Sequence, residues 1–177
     1  MCNMKANTRL FNTFLALALL AILCGCQTEG KNKEVSALRV HIEVNSDSTG
    51  TTQPISVLRS DPVLITIAKE PVLTEANIIA AKVIDARGGI ALQIQFDESS
   101  ALMLEQYSAA NPGKHFAIFG QWGEKQANGR WLAAPIITRR IADGMLSFTP
   151  DMSREEADRL VLGLNNVTKK ILKGQLK

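Results

Sequence analysis

IAAKVIDARGGIALQIQFDESSALMLEQYSAANPG, residues 79–113, is the stretch whose reading decides the fold. Residues 79–84 read as a strand. Asp85-Ala86-Arg87-Gly88-Gly89 follows with hairpin chemistry, because glycines accept the positive φ angles that a tight reversal needs. Beyond the turn, Ile90, Leu92, Ile94 and Phe96 alternate with Ala91, Gln93 and Gln95, the period of a strand with one buried face. Asp97 then supplies an N-cap for a helix over 98–110, where Ala101, Leu104 and Tyr107 recur at helical spacing and would face the sheet. Asn111-Pro112-Gly113 stops that helix.

Outward from this unit, the same signals recur. Toward the N-terminus, Leu38-Arg39-Val40-His41-Ile42-Glu43-Val44 alternates strictly, with His41 on the polar face. Residues 45–53 form a loop, 55–59 a second strand and 63–67 a buried one with Pro62 at its start. Leu73-Thr74-Glu75-Ala76-Asn77 reads as one helical turn capped by Thr74. Toward the C-terminus, residues 115–120 and 131–138 are strands, the latter marked as an edge or bulge by Pro135, and 121–129 is an exposed turn. Residues 145–148 make a last short strand. Ser153-Arg154-Glu155-Glu156 is a capping box, in which the serine side chain and the glutamate each bond the other's backbone N–H. Ala157, Leu160, Val161 and Leu164 then form an amphipathic stripe. From Thr168 the chain is basic and is expected to fray. The expected fold is α+β, a mainly antiparallel sheet with two main helices packed on one face.

The first residues carry a different message. MCNMKANTRLFNTFLALALLAILCGC opens the chain, with Lys5 and Arg9 as a positive n-region and an apolar core over 10–23. That core is shorter than the roughly 20 apolar residues a spanning helix needs, and it suits a secretory signal. Leu23-Cys24-Gly25-Cys26 looks like a lipobox, with Cys24 a departure at the second position. The expectation is a bacterial lipoprotein cut before Cys26, whose thiol takes the lipid through a thioether. Residues 1–25 would be the signal peptide, 26–36 a polar tether, 37–167 a single domain and 168–177 a basic tail. Gln27 in place of aspartate favours the outer over the inner membrane, with the domain facing the periplasm.

Composition narrows the function. The 20 basic and 17 acidic residues become 18 against 17 once Lys5 and Arg9 leave with the signal, so the basicity of the full chain gives no nucleic-acid footprint. All three cysteines lie at or before position 26, which excludes thiol catalysis and a cysteine metal site in the mature domain. His41 and His115 have no carboxylate at ligand spacing, so no metal is expected. Glu155 and Glu156 sit in a first helical turn, where they offset the positive helix end. Ser99-Ser100 lacks a nucleophile-elbow context, and Gly88-Gly89 lacks the Lys-Ser/Thr of a phosphate loop. No cofactor motif is present. Trp122, beside Gly123 in the 121–129 turn, is a candidate partner contact, its alternative being to fold back over the core. Arg139 and Arg140 are candidates for a partner or anionic lipid, the alternative being a solvated edge that blocks unwanted pairing.

Four pieces in order resemble the head subdomain of the first periplasmic domain of SecD and SecDF, membrane proteins that assist protein export. They are Glu70-Pro71-Val72-Leu73-Thr74; Asn111-Pro112-Gly113-Lys114-His115-Phe116-Ala117-Ile118; Ala134-Pro135-Ile136-Ile137; and Phe148-Thr149 followed by Ser153, Glu155, Glu156, Ala157 and Leu160. The resemblance covers about residues 63–166. Residues 37–58 do not match the family's base subdomain, the 121–129 loop is longer than the family's turn, and no transmembrane helix is read. The resemblance therefore implies a fold and a binding role, not a motor. Two functions follow as expectations. One is a lipid-anchored, non-enzymatic module that binds an exported polypeptide or a partner protein near the membrane. The other is a structural subunit of an envelope complex with no substrate binding.

Overall fold

A computed structural model describes residues 34–174. The expected signal peptide, Cys26 and the tether up to Lys33 lie outside the described residues.

Strand β1 (Ala37–Ile42) organises the domain. Its alternating apolar residues pair along their whole length with β7 (Phe116–Trp122), antiparallel, and on the other side with the short β4 (Leu73–Thr74). β8 (Asn128–Ala133) adds to β7, so the sheet runs β4-β1-β7-β8. A second sheet, β5-β6-β9, is built from the hairpin β5 (Ile78–Ala86) and β6 (Gly89–Phe96), with β9 (Met145–Phe148) on the far side of β6. Gly88 turns that hairpin with φ of 89°, a backbone state that side chains resist. A third pair, β2 (Thr52–Val57) with β3 (Val63–Ala68), stands as its own hairpin. Antiparallel pairing thus holds throughout, divided among three hydrogen-bonded sheets rather than one.

Leu38, Val40, Phe116 and Ile118 of the first sheet share the main core with Leu92, Ile94, Phe96, Leu146 and Phe148 of the second. Helix α1 (Glu98–Ala110) contributes Leu104, fully buried. Its cap is as expected: Asp97 Oδ1 accepts from the Ser100 N–H at 2.7 Å. Helix α2 (Arg154–Leu172) buries Ala157, Leu160 and Leu164 in the same core. Its capping box closes in both directions, Glu156 N–H to Ser153 Oγ at 3.2 Å and Ser153 N–H to Glu156 Oε2 at 2.9 Å.

Several expectations move. His41 is buried rather than on a solvated face, because the β2–β3 hairpin covers that side of the first sheet. Val57, Ile65 and Ile67 close a smaller core there with Ala117, against which Trp131 packs. The strand expected at 131–138 ends at Ala133, since Pro135 has no N–H to donate. Pairing resumes past it: Phe116 N–H donates to Pro135 O at 3.0 Å and Ile137 N–H to Lys114 O at 2.8 Å. The domain also reaches beyond 37 and 167. Ser36 is buried at one end, and at the other α2 continues to Leu172 with Thr168 buried. Thr168 does not fray because its hydroxyl donates to Ile78 O at 2.8 Å.

Candidate binding site

The residues singled out in the sequence separate in space. Trp122 is a correction. It ends β7 with 1 % of its surface exposed, so it offers a partner no contact. The turn expected over 121–129 is shorter, because β7 and β8 extend into it from both sides. The Arg130 guanidinium lies over the indole at 4.8 Å from its centre. Arg140 pairs with Glu105 of α1 and is thereby tied to the domain. Arg139, next to it, makes no ion pair among the described residues and lines a groove. Cys26 lies outside the described residues.

That groove, about 290 Å³, runs beside the outer edge of β9. Gly144 O accepts from Phe96 N–H at 3.0 Å, which sets the parity of the ladder. With Ile94 opposite Leu146 and Leu92 opposite Phe148, those pairs exchange the hydrogen bonds to β6. Ser147 N–H and C=O, and Met145 C=O, therefore point away from the sheet. Met145 N–H is met by Asp143 Oδ1 at 3.0 Å. No described strand pairs with this side of β9. Pro135, Ile136 and Ile141 give an apolar wall to the groove that Met145, Leu146 and Ser147 of β9 also line, and Ile136 is 56 % exposed. Gln93 borders the same space and donates to Ser147 Oγ at 3.5 Å.

Chemically, an unpaired backbone edge beside an apolar wall suits an extended peptide: the edge supplies donors and acceptors, the wall takes alternate side chains. The strand 145–148 and the mark of Pro135 were both legible in the sequence. Their juxtaposition was not, since Pro135 lies past the end of β8 in the first sheet while residues 145–148 belong to the second.

The two histidines are structural in their contacts. His41 Nδ1 sits 2.9 Å from Ala68 O, which can only accept, so Nδ1 carries the proton. Burial holds this imidazole below its ordinary value of 6.5, against the opposing pull of that hydrogen bond. His115 Nδ1 lies 2.7 Å from Glu43 Oε2, a carboxylate that sequence spacing did not reveal because it comes from the end of β1. Among the described residues no group of three or more His, Cys, Asp or Glu side chains could hold a metal ion. Among them, too, no helix is long and apolar enough to cross a membrane.

Comparison with known proteins follows the fold. The family model described as "SecDF, P1 head subdomain" matches residues 33–167. Its match begins some thirty residues before the resemblance read in the sequence at about 63–166, and takes in β1 and β2 as well. A solved structure of a membrane component SecDF that enhances protein export is 20% identical, with a TM-score of 0.53, over 81% of this chain and 70% of that one. A crystal structure of SecDF in a super-membrane-facing form is 17% identical with a TM-score of 0.47. One of SecDF, a translocon-associated membrane protein from Thermus thermophilus, is 16% identical with a TM-score of 0.40. The chain spans 34% of each of these last two. No curated protein matches it in sequence.

Proposed function

The chain belongs to the SecDF P1 head subdomain family, and from that premise we propose that it is a non-enzymatic protein of the cell envelope, anchored by lipid on Cys26, whose head domain holds an extended stretch of polypeptide near a membrane. The observation that carries the binding role is the free edge of β9 beside the Pro135–Ile136–Ile141 wall. An exported chain is a fitting occupant, because it is unfolded in transit and offers unpaired backbone along its length. The solved relative is described as enhancing protein export, which agrees with that occupant. The lipidated cysteine does here what membrane helices do in a larger export component: it keeps the head at the bilayer. One acyl chain binds marginally, so stable anchoring requires the two or more that a processed lipoprotein cysteine carries.

Replacing Ser147 by proline removes an outward N–H while sparing the bonds to β6, so the fold should persist. A photo-crosslinker at Ile136 of the lipidated chain is expected to trap exported polypeptides in cells, and Ser147→Pro to lose most of that yield. Equal yield from Ser147→Pro sinks the edge-binding reading. Recovery of a single stoichiometric partner, with no binding of unfolded chains, favours the assembly-subunit reading instead. For the anchor, Cys26→Ala is expected to abolish acyl labelling. Undiminished labelling of that variant removes the lipoprotein reading.

A further inference from the structure

Helix α2 holds the end of the tether. Glu34, the first described residue, accepts from Arg159 Nε at 3.1 Å through Oε1 and from Asn166 Nδ2 at 3.0 Å through its carbonyl. Ser36 is fully buried against Gly163, where an added Cβ would come 2.1 Å from Ser36 Oγ. Only glycine admits the strap at that point. Arg159, Gly163 and Asn166 lie on one stripe of the helix, and the next two positions on that stripe are Lys170 and Lys173. The strap therefore crosses the helix face that ends in a lysine cluster.

The lysines there stand together in a stretch of chain without acidic neighbours. Arg59, Arg130, Arg140, Arg154 and Arg159 each pair with a carboxylate. Lys169, Lys170 and Lys173 pair with none among the described residues, and no acidic residue stands between Asp158 and Lys177 in the sequence. Between them Leu172 is 80 % exposed. From Cys26 to Glu34 is eight residue steps, at most about 29 Å of extended chain. Lys173 lies roughly 10 Å further along the helix from Asn166. A lipid on Cys26 thus keeps this cationic end within reach of the bilayer.

We propose that the last turns of α2 make a second membrane contact, Lys169, Lys170 and Lys173 meeting anionic lipid headgroups while Leu172 enters the interface. The contact adds orientation to the anchor: one attachment lets the domain swivel, two attachments hold one side of it toward the bilayer. It rests on lipid anchoring at Cys26 for its proximity, and on charge complementarity for its specificity.

The test uses the mature chain with a spin label on Leu172→Cys, bound to vesicles of phosphatidylglycerol with phosphatidylethanolamine or of phosphatidylcholine alone. The label is expected to lose access to a water-borne relaxant severalfold on the anionic vesicles only. High salt, or the combined Lys169→Gln, Lys170→Gln and Lys173→Gln variant, is expected to restore access. Equal access on both vesicle types, or no response to the triple variant, overturns the proposal. Mass spectrometry of the same preparation reads the lipid on Cys26, so failure of the anchor is seen separately. An unlipidated chain, its Cys26 replaced by serine, still tests the contact: its partition onto the anionic vesicles should weaken about fivefold for each lysine neutralised, and partition that ignores the lysines overturns it.

Discussion

Trp122 sits under a cation and inside the core. Its indole packs with the main cluster, and its face takes Arg130, whose Nε donates to Asp151 O at 3.1 Å and whose terminal nitrogen donates to Glu156 Oε2 at 2.8 Å. One arginine therefore links β8, the loop before α2 and the capping box of α2. Truncation at Trp122 leaves a cavity beneath that arginine. Trp122→Ala is expected to cost about 3–5 kcal/mol, read as a lower urea midpoint. Crosslinking from Ile136, normalised to folded protein, should not change. A loss of crosslinking with unchanged stability would return Trp122 to a contact role.

At the scale of elements, the decisive difference lies between two sheet edges. The outer edge of β5 is covered by α2 at Ala81. Asn165 Oδ1 accepts from Ala81 N–H at 3.0 Å, and Asn165 Nδ2 donates to Ala81 O at 2.9 Å, so one amide stands where a neighbouring strand would. Such cover protects an edge from pairing with other chains. β9 has no such cover along Ser147 among the described strands, so on the proposed function it is the edge that a peptide would take. Asn165→Ala leaves two backbone groups without partners and is expected to cost roughly 1–3 kcal/mol. It should also raise self-association in light scattering. A variant that stays monomeric and as stable as the parent would show that water serves the edge equally well.

For the whole molecule, three groups give stability one direction with pH. Burial lowers the His41 value, so as pH falls through 6.5 the unfolded chain takes up a proton that the folded one refuses. That contribution is complete above 6.5 and is lost as pH falls toward the folded value. The hydrogen bond from Arg59 lowers Asp151 below its ordinary 3.8, and the bond from Arg130 lowers Glu156 below 4.5. Their contributions are present above those ordinary values and are lost as pH falls through the depressed ones. Urea midpoints are expected to decline in two steps on acidification, the upper set by His41 and the lower by the carboxylates. His41→Gln should remove the upper step alone. An upper step that survives in His41→Gln would assign it elsewhere.

The sequence by itself determined what depends on near neighbours along the chain. The β5–β6 hairpin, the Asp97 and Ser153 caps and the core stripe of α2 all follow from residues within a few positions of one another. The four pieces that resemble the SecD and SecDF head were legible for the same reason, each being a local run. Only the tertiary structure decided what depends on distant segments. His41 alternates like a solvated residue, yet the β2–β3 hairpin, some ten to thirty residues further on, closes over it. Trp122 sits beside glycine like a loop residue, yet β8 and Arg130 close around it. The free edge of β9 required knowing which strands lie beside it. Ser36 and Glu34 read as tether until Gly163 and Asn166 of α2, more than 120 positions away, are found holding them. Burial and edge exposure are properties of what packs on top, and no periodicity along one strand records that.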